Sequence, residues 1–228
     1  MPASGTTERT LTAEQARAFY DRLGSRQDWQ RFFEDPAVEA MLQHGDFGHA
    51  TSVLEFGCGT GQLAERLLTQ FIPSDCRYSG IDLSDTMVRL ARERLKPWAE
   101  RATVRLADGS CTLGEADRSM NRIVSAYVLD LIAGERIAVF LGEATRVLTA
   151  DGLLCLVSLS HGQKSFARFV SSTWKRVHAL SPWMVGGCRP IDLTEFLAPS
   201  QWQIKHTQFV YSLGITSQVV VASKHKGA

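Results

Sequence analysis

A chain of 228 residues, 44% of them hydrophobic, can bury one substantial core, and its length fits one domain with embellishments better than two. A formal net charge of +1 lacks the basic excess of nucleic-acid-binding domains, so no nucleic-acid partner is expected. Five scattered cysteines without C-x-x-C spacing, and no apolar run of ~18 residues, exclude a zinc or disulfide framework and a spanning helix, and point to a reducing, cytoplasmic setting.

Met1 to Arg9 is small and polar, with no apolar core of a signal peptide. Thr12, with Gln15 three residues on, has the form of a capping box. It opens a helix whose apolar stripe is Ala16, Phe19, Tyr20 and Leu23, and which Gly24 and Ser25 end. A second helical piece is predicted from Asp28 to Phe33, and a third starts at Pro36, which a first helical turn tolerates.

The chain is organised around Val53-Leu54-Glu55-Phe56-Gly57-Cys58-Gly59-Thr60-Gly61-Gln62-Leu63. A short apolar run enters three glycines at alternate positions and an amphipathic segment leaves them, which reads as strand, tight turn and helix. Glycine permits positive φ and lets a ligand approach the main chain, while the helix N-terminus offers free N–H groups. The dinucleotide pattern G-x-G-x-x-G requires glycine where this chain has Gln62. Glu55, just before the turn, suits a cationic ligand better than a phosphate. E-F-G-C-G-T-G resembles motif I of the class I S-adenosylmethionine (SAM) dependent methyltransferases. That resemblance implies that Gly57, Cys58, Gly59 and Gly61 wrap the methionine end of SAM and that Glu55 helps hold its amino acid moiety. It also implies that the N-terminal helices form a lid, with Tyr20 beside both cofactor and substrate and Arg26 and Trp29 on the substrate side. Anchoring of Phe19, Tyr20 and Trp29 on the core is the alternative.

Arg77 to Ser84 reads as the second strand and its exit. Asp82 lies 21 residues beyond Gly61, where a carboxylate can accept both hydroxyls of a ribose. Dinucleotide enzymes share this spacing, and Asp82 could instead cap the helix running from Ser84 to Leu95. Gly80-Ile81-Asp82-Leu83-Ser84 followed by Met87 is similar to motif II of the methyltransferases, in which Leu83 and Met87 border the adenosine. Ala102 to Ala107 is the third strand. Asp108-Gly109-Ser110 at its end resembles the family's adenine contact, and is also an ordinary turn.

Leu113 to Ser119 is expected to form a short helix, and Asn121 to Leu131 a strand buried on both faces whose end, with Tyr127 and Asp130, points into the reaction edge. Ala126-Tyr127-Val128-Leu129-Asp130 stands where base methylases carry Asn/Asp-Pro-Pro-Tyr, which argues against base methylation. Small-molecule relatives, including quinone-biosynthesis-like enzymes, often show V-L-H-H where this chain has V-L-D-L. A helix from about Gly134 to Leu148, a turn at Thr149 to Gly152 and a fifth strand at Leu153 to Leu159 follow, and R-V-L-T-A-D-G-L-L is similar to the family's R-x-L-x-P-G-G. His161 is either a general base or a surface loop residue. Gln163 to Leu180 has the pattern of a long amphipathic helix. Trp183 and Arg189 lie in an aromatic, Gly-rich stretch that suggests an apolar acceptor pocket with an anionic handle, or a packed connector. One more helix is expected at Asp192 to Phe196, then a terminal hairpin of Trp202 to Leu213 and Ser217 to Ser223.

The alternation of strands and helices predicts an α/β fold: a doubly wound, Rossmann-like sheet of seven mostly parallel strands with a C-terminal antiparallel hairpin. Residues 1–50 form the lid and 51–228 the SAM-binding domain, with a substrate-side insertion at about 162–198. The resemblance, which covers roughly residues 50 to 160, implies methyl transfer from SAM by in-line displacement to a small or lipid-like acceptor, leaving S-adenosyl-L-homocysteine (SAH). No metal is required, and His161, Asp130 and Tyr127 are the catalytic candidates. The element methylated and the oligomeric state stay open. A nicotinamide-dependent oxidoreductase and a non-catalytic partner subunit are the competing readings.

Overall fold

A computed structural model describes residues 12–24, 31–161 and 188–225. Helix α1 (Ala13–Leu23) begins where the capping box places it. Thr12 Oγ1 accepts from the Gln15 N–H at 3.2 Å and Gln15 Oε1 accepts from the Thr12 N–H at 3.0 Å. Gly24 ends it at φ 54°. Helix α2 (Arg31–His44) then runs unbroken through Pro36, where the sequence predicts two pieces. Proline removes one N–H bond, but Ala37 and Met41, both 0% exposed, lead the buried run that holds the helix on the sheet.

The strands are β1 (Ser52–Phe56), β2 (Arg77–Asp82), β3 (Ala102–Leu106), β4 (Met120–Ala126), β5 (Leu148–Leu159), β6 (Trp202–Ser212) and β7 (Ile215–Lys224). They form one sheet in the order β3-β2-β1-β4-β5-β7-β6, with β7 antiparallel to both its neighbours and the other pairs parallel. Strand order reverses between β1 and β4, so a crevice opens beyond their carboxyl ends. Helix α3 (Gln62–Arg66), which runs on as a π-helical turn at Leu67–Phe71, packs with α2 and α4 (Asp85–Arg94) over one face of the sheet. Helix α5 (Gly134–Val147) covers the other.

Register decides what meets at the crevice. Val53 pairs with Tyr78 and Glu55 with Gly80, so Glu55, Tyr78, Gly80 and Asp82 share the face under α3 and α4. On the opposite face Leu54, Ile123, Leu154 and Val220 pack against Ile137, Phe140 and Ala144 of α5. Helix α2 belongs to the layer over β5, β6 and β7, whereas α1 packs on α4.

Four further expectations are corrected. Residues 113–119 form no helix: Gly114 (φ 62°) and Arg118 (φ 52°) take left-handed conformations, and Leu113 is held at 0% exposure by the Arg105 guanidinium on its carbonyl and by Glu143 Oε2 on its N–H. Strand β4 stops at Ala126 because Tyr127 turns left-handed at φ 56°, and Leu129–Leu131 is a 3-10 turn. Strand β5 starts at Leu148 instead of after the expected turn. Met120 pairs with Leu148 and Arg122 with Leu153, so Thr149 to Gly152 bulge out within the strand. The helix expected at residues 192–196 is a 3-10 turn, Leu193–Phe196, with the Asp192 carboxylate accepting from the Thr194 N–H.

Candidate functional site

The glycine run closes the end of β1 as a tight loop. Gly57, Gly59 and Gly61 have φ of 80°, 52° and 80°, all left-handed. The Gly57 and Cys58 N–H groups donate to the Ile81 carbonyl at 2.8 and 3.1 Å, which ties the loop to β2. A Cβ on Gly57 would lie 2.3 Å from Val128 Cγ2, and one on Gly61 would lie 3.1 Å from the Cα and Cβ of Ala91 in α4. Glycine is therefore required at the first position for contact with the β4 exit and at the third for helix packing.

Two acids converge on this loop. Asp82 Oδ2 accepts from the Gly59 N–H at 2.8 Å and Oδ1 from the Ser84 N–H at 2.9 Å. The residue expected to hold a ribose thus also sets the loop, and each of its oxygens keeps a second lone pair for a ligand hydroxyl. Burial pushes its carboxyl above the usual range, and the backbone hydrogen bonds from Ser84 and Gly59 oppose that. Glu55 is 3% exposed. Burial pushes its carboxyl up to about 8, against the hydrogen bond that Tyr78 Oη donates to its Oε2 at 2.6 Å. Tyr78 is a residue that sequence reasoning missed.

Asp108 is exposed beyond β3. Its Oδ1 accepts from the N–H and the hydroxyl of Ser110 at 2.8 and 2.6 Å, and these bonds hold its carboxyl below the usual range. Gly109 (φ 85°) brings its backbone under α1: a Cβ there would stand 3.2 Å from Ala13 Cβ and 3.5 Å from Leu83 Cδ1. Ala13, Leu83 and Gly109 meet at one point, and the Asp21 carboxylate of α1 accepts from Ser84 Oγ at 2.5 Å and from the Thr86 N–H at 3.2 Å. Together with the Arg17–Asp85 ion pair, this clasps α1 to the start of α4. Met87 is 1% exposed, a core residue beneath the crevice. Tyr20 sits half-buried on α1 with its ring edge-on to Phe19, their centroids 5.3 Å apart. Arg26, Trp29, Trp183 and the amphipathic segment at 163–180 lie outside the described residues.

At the β4 tip the expectations divide. Tyr127 reaches across the crevice edge, with its N–H donating to the Val157 carbonyl at 2.8 Å and its hydroxyl 2.8 Å from Ser217 Oγ at the start of β7. Asp130 does not point into an open edge. It is 0% exposed beneath the tip of β5, Oδ2 accepts from the Leu159 N–H at 3.3 Å, Oδ1 has no partner among the described residues, and burial pushes it up to about 7. Its burial follows from the turn at Tyr127, which folds the chain back under β5. Arg189 is tied to the same turn, its N–H donating to the Asp130 carbonyl at 3.0 Å and Nη2 to the Ile132 carbonyl at 2.9 Å. That pairing turns one guanidinium nitrogen of Arg189, expected to meet an anionic handle of the acceptor, onto the turn. His161 is exposed immediately after β5.

The loop, with its left-handed glycines, the buried Glu55 and the half-buried Asp82, fits a ligand that is cationic at one end and carries a sugar. Residues 53–152 match the methyltransferase-domain family. The match runs from β1 into the bulge of β5, so the likeness over these residues is to a methyltransferase domain. A curated relative, the malonyl-(acyl-carrier protein) O-methyltransferase of Erwinia pyrifoliae, is 25% identical over 173 residues, which are 76% of this chain. The chain spans 61% of that relative's length. Among solved structures, geranyl diphosphate C-methyltransferase from Streptomyces coelicolor, with Mg2+, geranyl diphosphate and SAH, superposes with a TM-score of 0.68 at 12% identity, covering 98% of this chain and 100% of the other. The cyclase SpnF superposes at 0.69 with 15% identity, covering 94% and 97%. A methyltransferase and a cyclase share this backbone, so activity must be argued from the site.

Proposed function

We propose that this protein moves the methyl group of SAM to a small molecule by in-line displacement. The observation that carries the reading is the pairing around the glycine loop of the buried Glu55 with the half-buried Asp82, two acids without a salt-bridge partner among the described residues. SAM supplies an activated leaving group, so the protein's work is alignment in a water-poor site. In this proposal Glu55 takes the positively charged amino acid end, Asp82 the ribose hydroxyls, and Asp108 with the Gly109–Ser110 backbone the adenine. Helix α1, fixed by Asp21 to the cap of α4, closes the nucleoside side.

Tyr127 forms the wall between cofactor and acceptor. His161, exposed at the β5 tip, takes the proton where the acceptor is a hydroxyl, and Asp130, shut beneath that tip, does not. The Erwinia relative is named for O-methylation, so oxygen acceptors are the first class to test. A lipid-like acceptor and a cytoplasmic location belong to the same proposal. Among the described residues no helix is long and apolar enough to cross a membrane.

Calorimetric titration of the protein with SAM, SAH and NADH tests the reading. Binding of SAM and SAH but not NADH is expected, and binding of NADH alone would replace it with the nicotinamide-dependent alternative.

A further inference from the structure

Glu55 is held from the neighbouring strand by a side chain for which room has been made. Tyr78 is 2% exposed, and its hydroxyl reaches Glu55 Oε2 at 2.6 Å. Gly80, between Tyr78 and Asp82 on the same face of β2, makes this possible: a Cβ there would lie 3.0 Å from both Tyr78 Oη and Cys58 Sγ. The arrangement of Glu55, Tyr78, Gly80 and Cys58 is therefore interlocked, since a side chain at residue 80 would drive the hydroxyl off the acid.

The charges around Glu55 are of its own sign or already occupied. Asp82 raises its carboxyl further, and Cys58 beside it is a thiol that burial keeps protonated. On β4, Arg122 gives its guanidinium to Asp46 at 3.1 Å and to the carbonyls of Gly45, Asp46 and Asn121. In the helices over this face, Arg66 of α3 pairs with Glu39 and Asp35 of α2 at 2.6 and 3.6 Å, and Arg94 of α4 with Glu65 at 3.5 Å. Glu55 itself has no salt bridge among the described residues.

We propose that Tyr78 is a positioning residue for the cofactor: its hydroxyl fixes the Glu55 carboxyl for the ligand's positive end, and Glu55 gives up its proton to solvent when that charge arrives. The inference rests on the methyltransferase reading and deepens it. With its carboxyl pushed up to about 8, Glu55 is chiefly neutral at pH 7 in the free protein. The neutral acid avoids an uncompensated buried charge beside Asp82. A cation at Oε1 removes that cost, the O–H bond breaks to leave carboxylate and a solvent proton, and the Tyr78 O–H then donates to a charged acceptor, a stronger bond than to a neutral one.

The test is calorimetry of the full chain with SAM and with SAH at pH 7 in buffers of different ionisation enthalpy, which counts protons released. Wild type is expected to release close to one proton per ligand. Release with both ligands assigns the charge to the ammonium that both carry, and release with SAM alone assigns it to the sulfonium. Glu55→Gln should release none. Tyr78→Phe should bind about tenfold more weakly or worse, with release displaced to higher pH. Packing alone would move affinity but not that proton count or its pH midpoint. Binding to wild type with no buffer dependence overturns the proposal without any variant, and so does a Tyr78→Phe protein with wild-type affinity and proton count. Failure of wild type to bind either ligand removes the methyltransferase reading, and this inference with it.

Discussion

Replacing Gly57 with alanine sets two costs against each other that can be separated. The backbone at Gly57 is left-handed, at φ 80°, which costs an alanine ~1–2 kcal/mol. The new methyl would also stand 2.3 Å from Val128 Cγ2, where ordinary carbon contacts are ~3.5–4.0 Å. Overpacking of that kind costs ~1–3 kcal/mol, so Gly57→Ala should lose ~2–5 kcal/mol in all. Val128→Ala removes the clashing methyl groups and leaves Val128 Cβ, 3.3 Å from the new atom, as the nearest neighbour. Alone it should cost about 1–2 kcal/mol, because Val128 is half-buried. In the double variant the overpacking vanishes while the backbone strain remains. A double-mutant cycle by urea denaturation should therefore show a favourable coupling of ~1–3 kcal/mol. Additivity within ~0.5 kcal/mol, or a Gly57→Ala cost below ~1 kcal/mol, would refute the argument that contact with the β4 exit demands this glycine.

Asp82→Ala should abolish SAM binding in calorimetry and lower stability by ~1–3 kcal/mol, because the Gly59 and Ser84 N–H groups lose their acceptor. Unchanged affinity would remove Asp82 from the site. Glu55→Gln should flatten the pH dependence of stability. The folded carboxyl sits at about 8 against an ordinary 4.5, so the native state binds more protons between those values and wild type weakens as pH rises through that window, by up to ~1.4 kcal/mol per pH unit. Denaturation midpoints of wild type and variant that run parallel from pH 5 to 8 would contradict the burial argument. For an oxygen acceptor, His161→Asn should cut turnover at least ~100-fold. Turnover within a few-fold of wild type would dismiss it as the base.

The elements with a strong local signal were legible from residue order. Thr12 and Gln15 announce a helix start, the alternate glycines announce the loop, and the valine- and isoleucine-rich runs announce buried strands. What escaped depends on partners distant in sequence. Tyr78 reads as an ordinary strand residue in R-Y-S-G-I-D, and its role follows only from a register that seats it one rung below the Glu55–Gly80 pair. Asp130, ending an apolar run, has the pattern of a residue leaving a strand toward solvent, but the chain had already turned at Tyr127 and carried it under β5. Pro36 breaks a helix in isolation, and burial of the residues after it outweighs one missing hydrogen bond. The Arg189 guanidinium donates to the carbonyl of Ile132, 57 residues earlier, a pairing that composition does not encode.

The turn after β4 explains why an unfavourable backbone is kept at an aromatic residue. A left-handed tyrosine costs on the order of 1–3 kcal/mol and persists only where its surroundings over-determine it. At Tyr127 they do: the N–H is held by Val157, the hydroxyl sits against Ser217, and the next residue, Val128, packs on Gly57. An extended residue 127 would prolong β4, take Val128 off the glycine loop and bring Asp130 out from under Leu159. One strained position thus joins the wall of the cofactor loop to the strand ends where an acceptor would enter, so a change that shifts this turn must move both sides of the site together.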